Sequence, residues 1–230
     1  KASVGRVHNV YIGRRLYLSE DYQTMGCTAV DCIYSGIRKK IISKELEKGQ
    51  RLAETAIAKE FNVSRTPVRE AIRRLANDGL VNIVPGWGAH LVSPTKEEVI
   101  DTSMMRQVLE EIAIKKAVQY VTPVHIYKLQ EQIILEQKAA EEGDVDAYIA
   151  ANNNFHLVIA EAAGSKTLFE LLEHVLSKVV THLLFFDDSL FKFDTNPALN
   201  QHKKIVKALE AKDMDLCVSL IKQDIYPWGI

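Results

Sequence analysis

The stretch over residues 64–75, SRTPVREAIRRL, constrains the fold of this chain more than any other part of the sequence. Ser64 suits a helix N-cap, because its hydroxyl can accept a hydrogen bond from an unpaired backbone N–H of the first turn. Pro67 lies in that first turn, where its missing N–H costs nothing. The apolar residues recur at helical spacing and predict one buried stripe, formed by Val68, Ala71, Ile72 and Leu75.

The remaining residues of this predicted helix form a polar, largely cationic surface that includes Arg65, Thr66, Arg69 and Arg73. A short helix with one apolar face and cations near its start is what the recognition helix of a helix-turn-helix needs in order to enter the major groove of DNA. Taken alone, the stretch leaves a second interpretation open, a solvated basic helix without function.

The flanking residues favour the first interpretation. Helices are predicted over residues 28–44 and 54–61, and Gly79 is placed to end the recognition helix in the left-handed conformation. Two short β-rich runs then flank Pro85-Gly86-Trp87-Gly88, which is the pattern of a hairpin. Three helices followed by a hairpin predict a winged helix, in which Gly86 at the tip allows close approach to phosphate. We expect Trp87 and His90 to pack or to contact the phosphate edge rather than to contact bases.

The distribution of charge also separates this region from the remainder. Residues 36–75 carry eleven cations and five anions, which leaves +6 here and −7 on the rest of a chain whose formal net charge is −1. A basic module beside an acidic one suits a polyanionic partner on one side only. The length of 230 residues and the hydrophobic fraction of 47% allow two domains with real cores.

The C-terminal part is predicted to be almost entirely helical. A break at residues 93–95 marks the domain boundary, with Thr95 capping the next helix. Further breaks near residues 122, 143, 164, 194–197 and 211–213 divide the rest into about six helices, an antiparallel bundle. The expected fold is therefore mostly α: residues 1–26 are an extension, either a flexible tail or an arm that touches DNA, residues 27–93 a winged helix, and residues 94–230 a helical bundle.

Three cysteines, at positions 27, 32 and 217, do not form a disulfide framework or a CxxC zinc pattern, and favour a reducing cytoplasm. No apolar run approaches the ~20 residues that span a membrane, and no signal peptide is evident. We therefore expect a cytoplasmic protein without a membrane partner.

The winged-helix region resembles the DNA-binding domain of the GntR family of bacterial transcription regulators. The resemblance rests on GQRLAETAIAKEFNVSRTPVREAIRRLANDGLV followed by PGWGAHLV. It implies that Arg65, Thr66 and Arg69 contact operator bases and phosphates and that Gly86 approaches DNA. We expect Ser64 and Arg73 of the same helix to belong to this DNA-binding surface. Many members of the family carry an arginine where this chain has Thr55, so that backbone contact is not carried over.

Spacing brings four residues of the bundle into consideration as metal ligands. Asn152 and His156 lie one turn apart on one helix, His202 opens another, and Asp224 lies in the last. Residues from several helices can converge in a bundle to form an N/O metal site, although a buried histidine can equally be a hydrogen-bonded core residue.

The bundle resembles the FCD ligand-binding domain of the FadR-type branch of the GntR family, through RQVLEEIA, NNNFH, GSKTLFELL and QHKKIVKALEAKD. The resemblance implies a divalent metal held by a carboxylate and three histidines, beneath a carboxylate effector. His156 and His202 match two of those histidines, whereas Asn152 replaces the aspartate and Asp224 the last histidine. The exchange moves the ligand set toward oxygen, so that Mn²⁺ becomes as plausible as Zn²⁺ or Ni²⁺.

Two further residues are candidates for effector binding. Arg106 lies on a mostly apolar helix face, where it can clamp an effector carboxylate or form an ion pair with Glu110. His182 is spaced to line the same cavity or to pack in the core.

The expected function is a ligand-responsive, DNA-binding transcription regulator, a homodimer that binds a double-stranded operator and a small carboxylate. A constitutive DNA-binding protein without an effector is one alternative. A metal-dependent enzyme with a DNA-binding module is another, although the sequence lacks an HExxH motif and a phosphate-binding glycine loop. We therefore expect no catalytic residues.

Overall fold

The computed structural model of the chain describes residues 28–186 and 198–224, and the N-terminal extension of residues 1–26 lies outside them. The N-terminal part contains α1 (Ala29–Ile42), β1 (Arg51–Leu52), α2 (Glu54–Glu60), α3 (Arg65–Asn77), β2 (Val81–Val84) and β3 (Gly88–Leu91). The C-terminal part contains α4 (Lys96–Tyr120), α5 (Pro123–Glu142), α6 (Val145–Ala162), α7 (Lys166–Phe186), α8 (Ala198–Glu210) and α9 (Met214–Asp224). The mostly α-helical class, with a winged helix-turn-helix before a bundle, is confirmed.

The recognition helix α3 forms as its apolar spacing predicts, with its stripe of four apolar residues buried. Gly79 has a φ of +75° just after the helix, as predicted. One detail of the prediction is wrong. Ser64 holds the extended N-cap conformation, with φ −73° and ψ 167°, but its side chain makes no capping hydrogen bond. The hydroxyl of Ser64 therefore does not cap the N-terminus of this helix.

The wing is a three-stranded antiparallel sheet in the order β1-β3-β2, rather than the two-stranded hairpin that was predicted. Val81 pairs with Leu91 and Val84 with Gly88, which gives the expected hairpin. The additional strand β1 pairs Arg51 with His90. A strand of two residues is too short to show alternation in a sequence, which is why only its tertiary pairing reveals it.

Six helices, α4 to α9, form the bundle within the described residues, and the helix ends match the sequence signals. Thr95 forms a capping box with Glu98 at the start of α4, since each side chain bonds the other's backbone N–H. Gly143 ends α5 with a φ of +70°, and Asp144 then caps α6. Short connections of this kind place successive helices side by side.

Five large apolar residues of the bundle helices are exposed: Val108, Ile112, Leu135, Leu171 and Leu216. Neighbouring positions face the interior in their place, among them Leu109, Ile133 and Leu172. Several of these helices are apolar on more than one face, so the sequence does not reveal which face the bundle covers.

The winged helix and the bundle share a hydrophobic cluster. Val145 and Ile149 of α6, with residues of α7, pack against the buried residues of α1, α3 and the wing. Arg38 of α1 is only 2% exposed and forms an ion pair with Asp146 in the first turn of α6. Arg38 was counted among the cations of the basic module, but the structure directs it toward the bundle rather than toward a polyanion.

Candidate functional site

The N-terminal half of α3 presents its cations to solvent. The side chains of Arg65 and Arg69 are 55% and 53% exposed, and Thr66 and Arg73 are exposed beside them. Both Arg65 and Arg69 donate to Glu54 Oε2, from Nη2 at 2.8 Å and from Nε at 2.9 Å respectively. Ion pairs this exposed contribute little stability, so the two guanidinium groups are held near each other without being sequestered.

The tip of the wing is also open. Gly86 has a φ of +77°, and a Cβ placed there would meet nothing within 4 Å. Trp87 is 74% exposed, so the packing role considered for it is wrong. The Nε of Arg51 lies 3.7 Å from the position that a Cβ on Gly88 would occupy, which places a cation beside the wing. Together with α3, this gives a surface of cations and accessible backbone, which suits a phosphate chain.

A buried cluster of ionisable side chains lies in the interior of the bundle, where five helices meet. Its members are Arg106 and Glu110 of α4, Glu136 of α5, His156 of α6, His202 of α8 and Asp224 of α9, and all but Arg106 have side chains no more than 2% exposed. Ligand atoms of His156, His202 and Asp224 all lie within 4.8 Å of one another.

Each histidine of the cluster has a carboxylate behind it. Nδ1 of His202 lies 2.8 Å from Glu136 Oε2, and Nδ1 of His156 lies 2.8 Å from Glu110 Oε2. The Nε2 atoms therefore point away from these carboxylates and toward Asp224, at 3.5 Å from Oδ1 for His202 and 3.3 Å from Oδ2 for His156. A carboxylate on one ring nitrogen is the usual support for a histidine that binds a metal through the other.

Arg106 closes one side of this cluster. Its Nε donates to Glu110 Oε1 at 2.6 Å, and its Nη2 lies 2.9 Å from His156 Nε2 and 3.9 Å from Asp224 Oδ2. A guanidinium has no acceptor, so His156 Nε2 accepts this hydrogen bond. The ring proton of His156 is then on Nδ1, which faces Glu110.

The electrostatics follow from burial and these partners. Burial alone would lower the pKa of His202, but its contacts with Asp224 and Glu136 raise that pKa to about 9. Burial alone would raise the pKa of Asp224, but the two histidines hold it well below its usual range. The pKa of Glu110 is likewise lowered, against the effect of burial, by Arg106 and His156. Asp224 and Glu110 therefore stay ionised, beside the positive charge of Arg106 and the histidines.

Two family models match the chain, the FCD domain over residues 101–226 and the bacterial regulatory proteins of the gntR family over residues 30–91. The chain belongs to the gntR family of bacterial regulatory proteins. The FCD match alone covers more than half of it, and the two matches lie on the bundle and on the winged helix respectively. The resemblance that the sequence suggested is confirmed, and with it DNA binding and the regulation of transcription.

Relatives of this gntR-family chain are regulators of transcription by name. It is 29% identical over 185 residues to the HTH-type transcriptional repressor RspR of Escherichia coli, which covers 80% of this chain and 79% of the relative. It is 24% identical over 191 residues to the gluconate operon transcriptional repressor of Bacillus licheniformis, which covers 82% and 78%. Among solved structures, a GntR regulator from Rhodococcus has a TM-score of 0.64 at 25% identity, covering 85% of this chain and 93% of that one. None of the described helices is long and apolar enough to cross a bilayer.

The structure brings some of the predicted site residues of this gntR-family chain together and keeps others apart. His156, His202 and Asp224 come together as expected. The amide nitrogen of Asn152 donates to Glu136 Oε1 at 3.4 Å, so Asn152 contacts the cluster through this carboxylate. Its assignment as a metal ligand stays a prediction, and the contact that the structure gives it is with the carboxylate that supports His202.

The two candidates for effector binding also separate. Arg106 faces the cluster and forms the ion pair with Glu110 that was the alternative to a free clamp. His182 is buried on α7, where burial lowers its pKa and Glu98 and Lys178 are its charged neighbours. These neighbours belong to the first turn of α4 and to α7, rather than to the cluster around His156.

Sequence reasoning missed two members of the cluster, Glu110 as a partner of His156 and Glu136. Glu136 lies seven residues after Leu129 and three after Ile133 and continues their buried stripe. A carboxylate therefore occupies a position where the stripe predicts an apolar residue. Such a position is a usable signal, because a buried carboxylate needs a partner.

Proposed function

We propose that this gntR-family regulator is ligand-responsive: it binds a double-stranded operator as a homodimer, and a small carboxylate bound over a divalent metal in the bundle alters that binding. The observation that carries the proposal is the convergence of His156 Nε2, His202 Nε2 and Asp224, with Glu110 and Glu136 behind the two imidazoles.

The residues present fit a divalent cation by charge. Among the described members of the cluster, three carboxylates oppose the guanidinium of Arg106, which leaves two negative charges when both histidines are neutral. A buried excess of charge of this size is costly unless it is compensated. A divalent ion would balance it, whereas without an ion His202, whose pKa Asp224 and Glu136 raise to about 9, holds a second proton.

Two polar atoms of the cluster also fit a metal ion by their position. His202 Nε2 and Asp224 Oδ1 are buried, lie 3.5 Å from each other and make no closer polar contact within the described residues. We propose His156, His202 and Asp224 as the ligands, a set of two nitrogens and a carboxylate that suits Zn²⁺, Mn²⁺ or Ni²⁺. A bound ion would supply the positive charge that holds a carboxylate effector.

The chemistry of the effector follows from Arg106. Its side chain is 11% exposed and borders the three ligands, so a carboxylate between the ion and the guanidinium would meet positive charge on both sides. One relative is named a gluconate operon repressor, and sugar acids therefore belong in the first panel of compounds to be tested.

A homodimer is supported by the surface of α4. Ile100, Met104, Val108 and Ile112 follow one another at four-residue spacing and are between 41% and 59% exposed, while Leu109, Ala113, Ala117 and others on the same helix are buried in the bundle. A helix that is apolar on two sides is usually covered on both. A second copy of the chain would cover this stripe and present two recognition helices to a two-fold operator.

A constitutive DNA-binding protein is the second candidate, and the ion pairs of Arg106 within the cluster favour it because they partly satisfy the site without a ligand. A duplex that the protein binds is first selected from a random pool of sequences and labelled. Fluorescence anisotropy of this duplex then distinguishes the two functions. The proposal expects a sugar acid or hydroxy acid to change duplex affinity about tenfold or more in the presence of Mn²⁺ or Zn²⁺, and not after EDTA treatment. Affinity that no compound or chelator changes would favour the second candidate.

A further inference from the structure

The guanidinium of Arg106 contacts the same atoms that the proposed metal requires. Its Nη2 lies 2.9 Å from His156 Nε2 and 3.9 Å from Asp224 Oδ2. Imidazole nitrogen Nε2 has a single lone pair, which in this arrangement accepts a hydrogen bond from the guanidinium N–H. Arg106 and a metal ion therefore cannot both bind His156 at Nε2.

The hydrogen bond between Arg106 and Glu110 can hold the base of the guanidinium while its Nη2 moves away from His156. Its Nε donates to Glu110 Oε1 at 2.6 Å, one helical turn away on α4. This bond can persist while Nη2 leaves His156, because it uses a different nitrogen and a residue on the same helix. Glu110 also contacts His156 Nδ1, so one carboxylate positions both of the groups that separate.

We propose that Arg106 is an internal stand-in for the metal: its guanidinium supplies the positive charge at His156 and Asp224 when no ion is bound, and must give up His156 before that nitrogen can act as a ligand. This inference rests on the proposed metal site and deepens it. The displaced Nη2 becomes available to a carboxylate only once His156 has been given up. Metal and effector therefore bind with positive coupling, and each raises the affinity for the other by the same factor.

The test is calorimetric titration of the full-length, EDTA-stripped protein with Mn²⁺ and with Zn²⁺. Arg106→Met removes the competitor, and we expect its metal affinity to exceed that of the wild type by about tenfold. Lys222→Met is the matched control, because Lys222 lies two residues from Asp224 but is exposed and pairs with Glu111. It removes the same charge without touching the cluster, and we expect less than a twofold change.

A second variant keeps the test valid if Arg106→Met folds poorly. Arg106→Lys retains the charge but has one nitrogen in place of the two that contact Glu110 and His156, so metal affinity should again rise, by a smaller factor. Long-range ¹H–¹⁵N spectra of the metal-free protein provide an independent readout. They should show His156 with its proton on Nδ1 and a hydrogen-bonded Nε2, and the Nε2 resonance should shift in both variants.

Coupling is measured by repeating the titration in acetate, a carboxylate that binds free Mn²⁺ weakly. Acetate should raise Mn²⁺ affinity in the wild type and not in Arg106→Met. Equal metal affinity in the wild type and both variants would overturn the role of Arg106 and leave the metal site standing. Absence of metal binding in every variant would overturn both proposals.

Discussion

Glu136 Oε2 lies 2.8 Å from Nδ1 of His202, and both side chains are almost completely buried. This contact fixes the ring of His202 so that Nε2 faces Asp224 on the neighbouring helix. Glu136 is therefore as important to the geometry of the cluster as the residues that would ligate an ion, although it does not face the ion itself.

Replacing Glu136 by Gln keeps the shape of the side chain and removes its charge. The imidazole of His202 then loses both its orientation and part of its basicity, and we expect metal affinity to fall about 10- to 100-fold. Titration calorimetry with Mn²⁺ measures the change. Glu131→Gln, an exposed position on the same helix, is the control and should bind as the wild type does. Unchanged affinity in Glu136→Gln would mean that His202 is not oriented by this carboxylate.

The stability of the metal-free protein should depend on pH through His202. Its pKa rises from 6.5 to about 9 on folding, so the folded chain holds this proton more tightly than the unfolded chain does. The resulting stability is complete below pH 6.5 and is lost as the pH rises through about 9. Urea unfolding of EDTA-treated protein between pH 6.5 and 9.5 should show this decline in the wild type. His202→Gln should have a flatter profile, and parallel profiles would contradict the assignment.

Arg69→Ala should weaken operator binding and leave the fold unchanged, because the side chain is more than half exposed and its partner Glu54 is on the surface. The loss of one phosphate contact should lower the slope of log affinity against log salt by about 1. Gel-shift titrations at several salt concentrations measure both quantities. Lys138→Ala, an exposed cation of the bundle, is the control, and a result for Arg69→Ala identical to it would remove Arg69 from the DNA surface.

The exposed stripe of α4 should hold the dimer together. Val108→Arg places a charge in the middle of the stripe, where Met104 and Ile112 are its neighbours, and we expect sedimentation to show a monomer at concentrations where the wild type is a dimer. Leu135→Arg changes an equally exposed apolar residue of α5 and should remain dimeric. A dimeric Val108→Arg protein would place the interface elsewhere.

The sequence was sufficient to predict the order of the elements because their boundaries are local. Thr95 with Glu98 at the start of α4, and Gly143 followed by Asp144 between α5 and α6, satisfy backbone groups within a few residues. Propensity and capping act over the same short range, so they are visible without the tertiary structure.

The members of the cluster were harder to predict because they meet through packing. Glu110 and Glu136 lie on different helices and contact histidines 46 and 66 residues away. Asn152 has the spacing of a ligand, one turn before His156, and the spacing gives no sign that its amide nitrogen lies 3.4 Å from Glu136 on another helix. Spacing along one helix shows which residues share a face, but not what that face meets.

The proposed metal site is tested by the metal content of the purified protein, measured by mass spectrometry after dialysis against equimolar Zn²⁺, Mn²⁺ and Ni²⁺. We expect about one ion per chain in the wild type and in Asn152→Ala, and none in the double variant His156→Ala/His202→Ala. We also expect EDTA to lower the unfolding temperature of the wild type and to leave that of the double variant unchanged. Wild-type protein that retains no ion, with an unfolding temperature that EDTA does not change, would contradict the account.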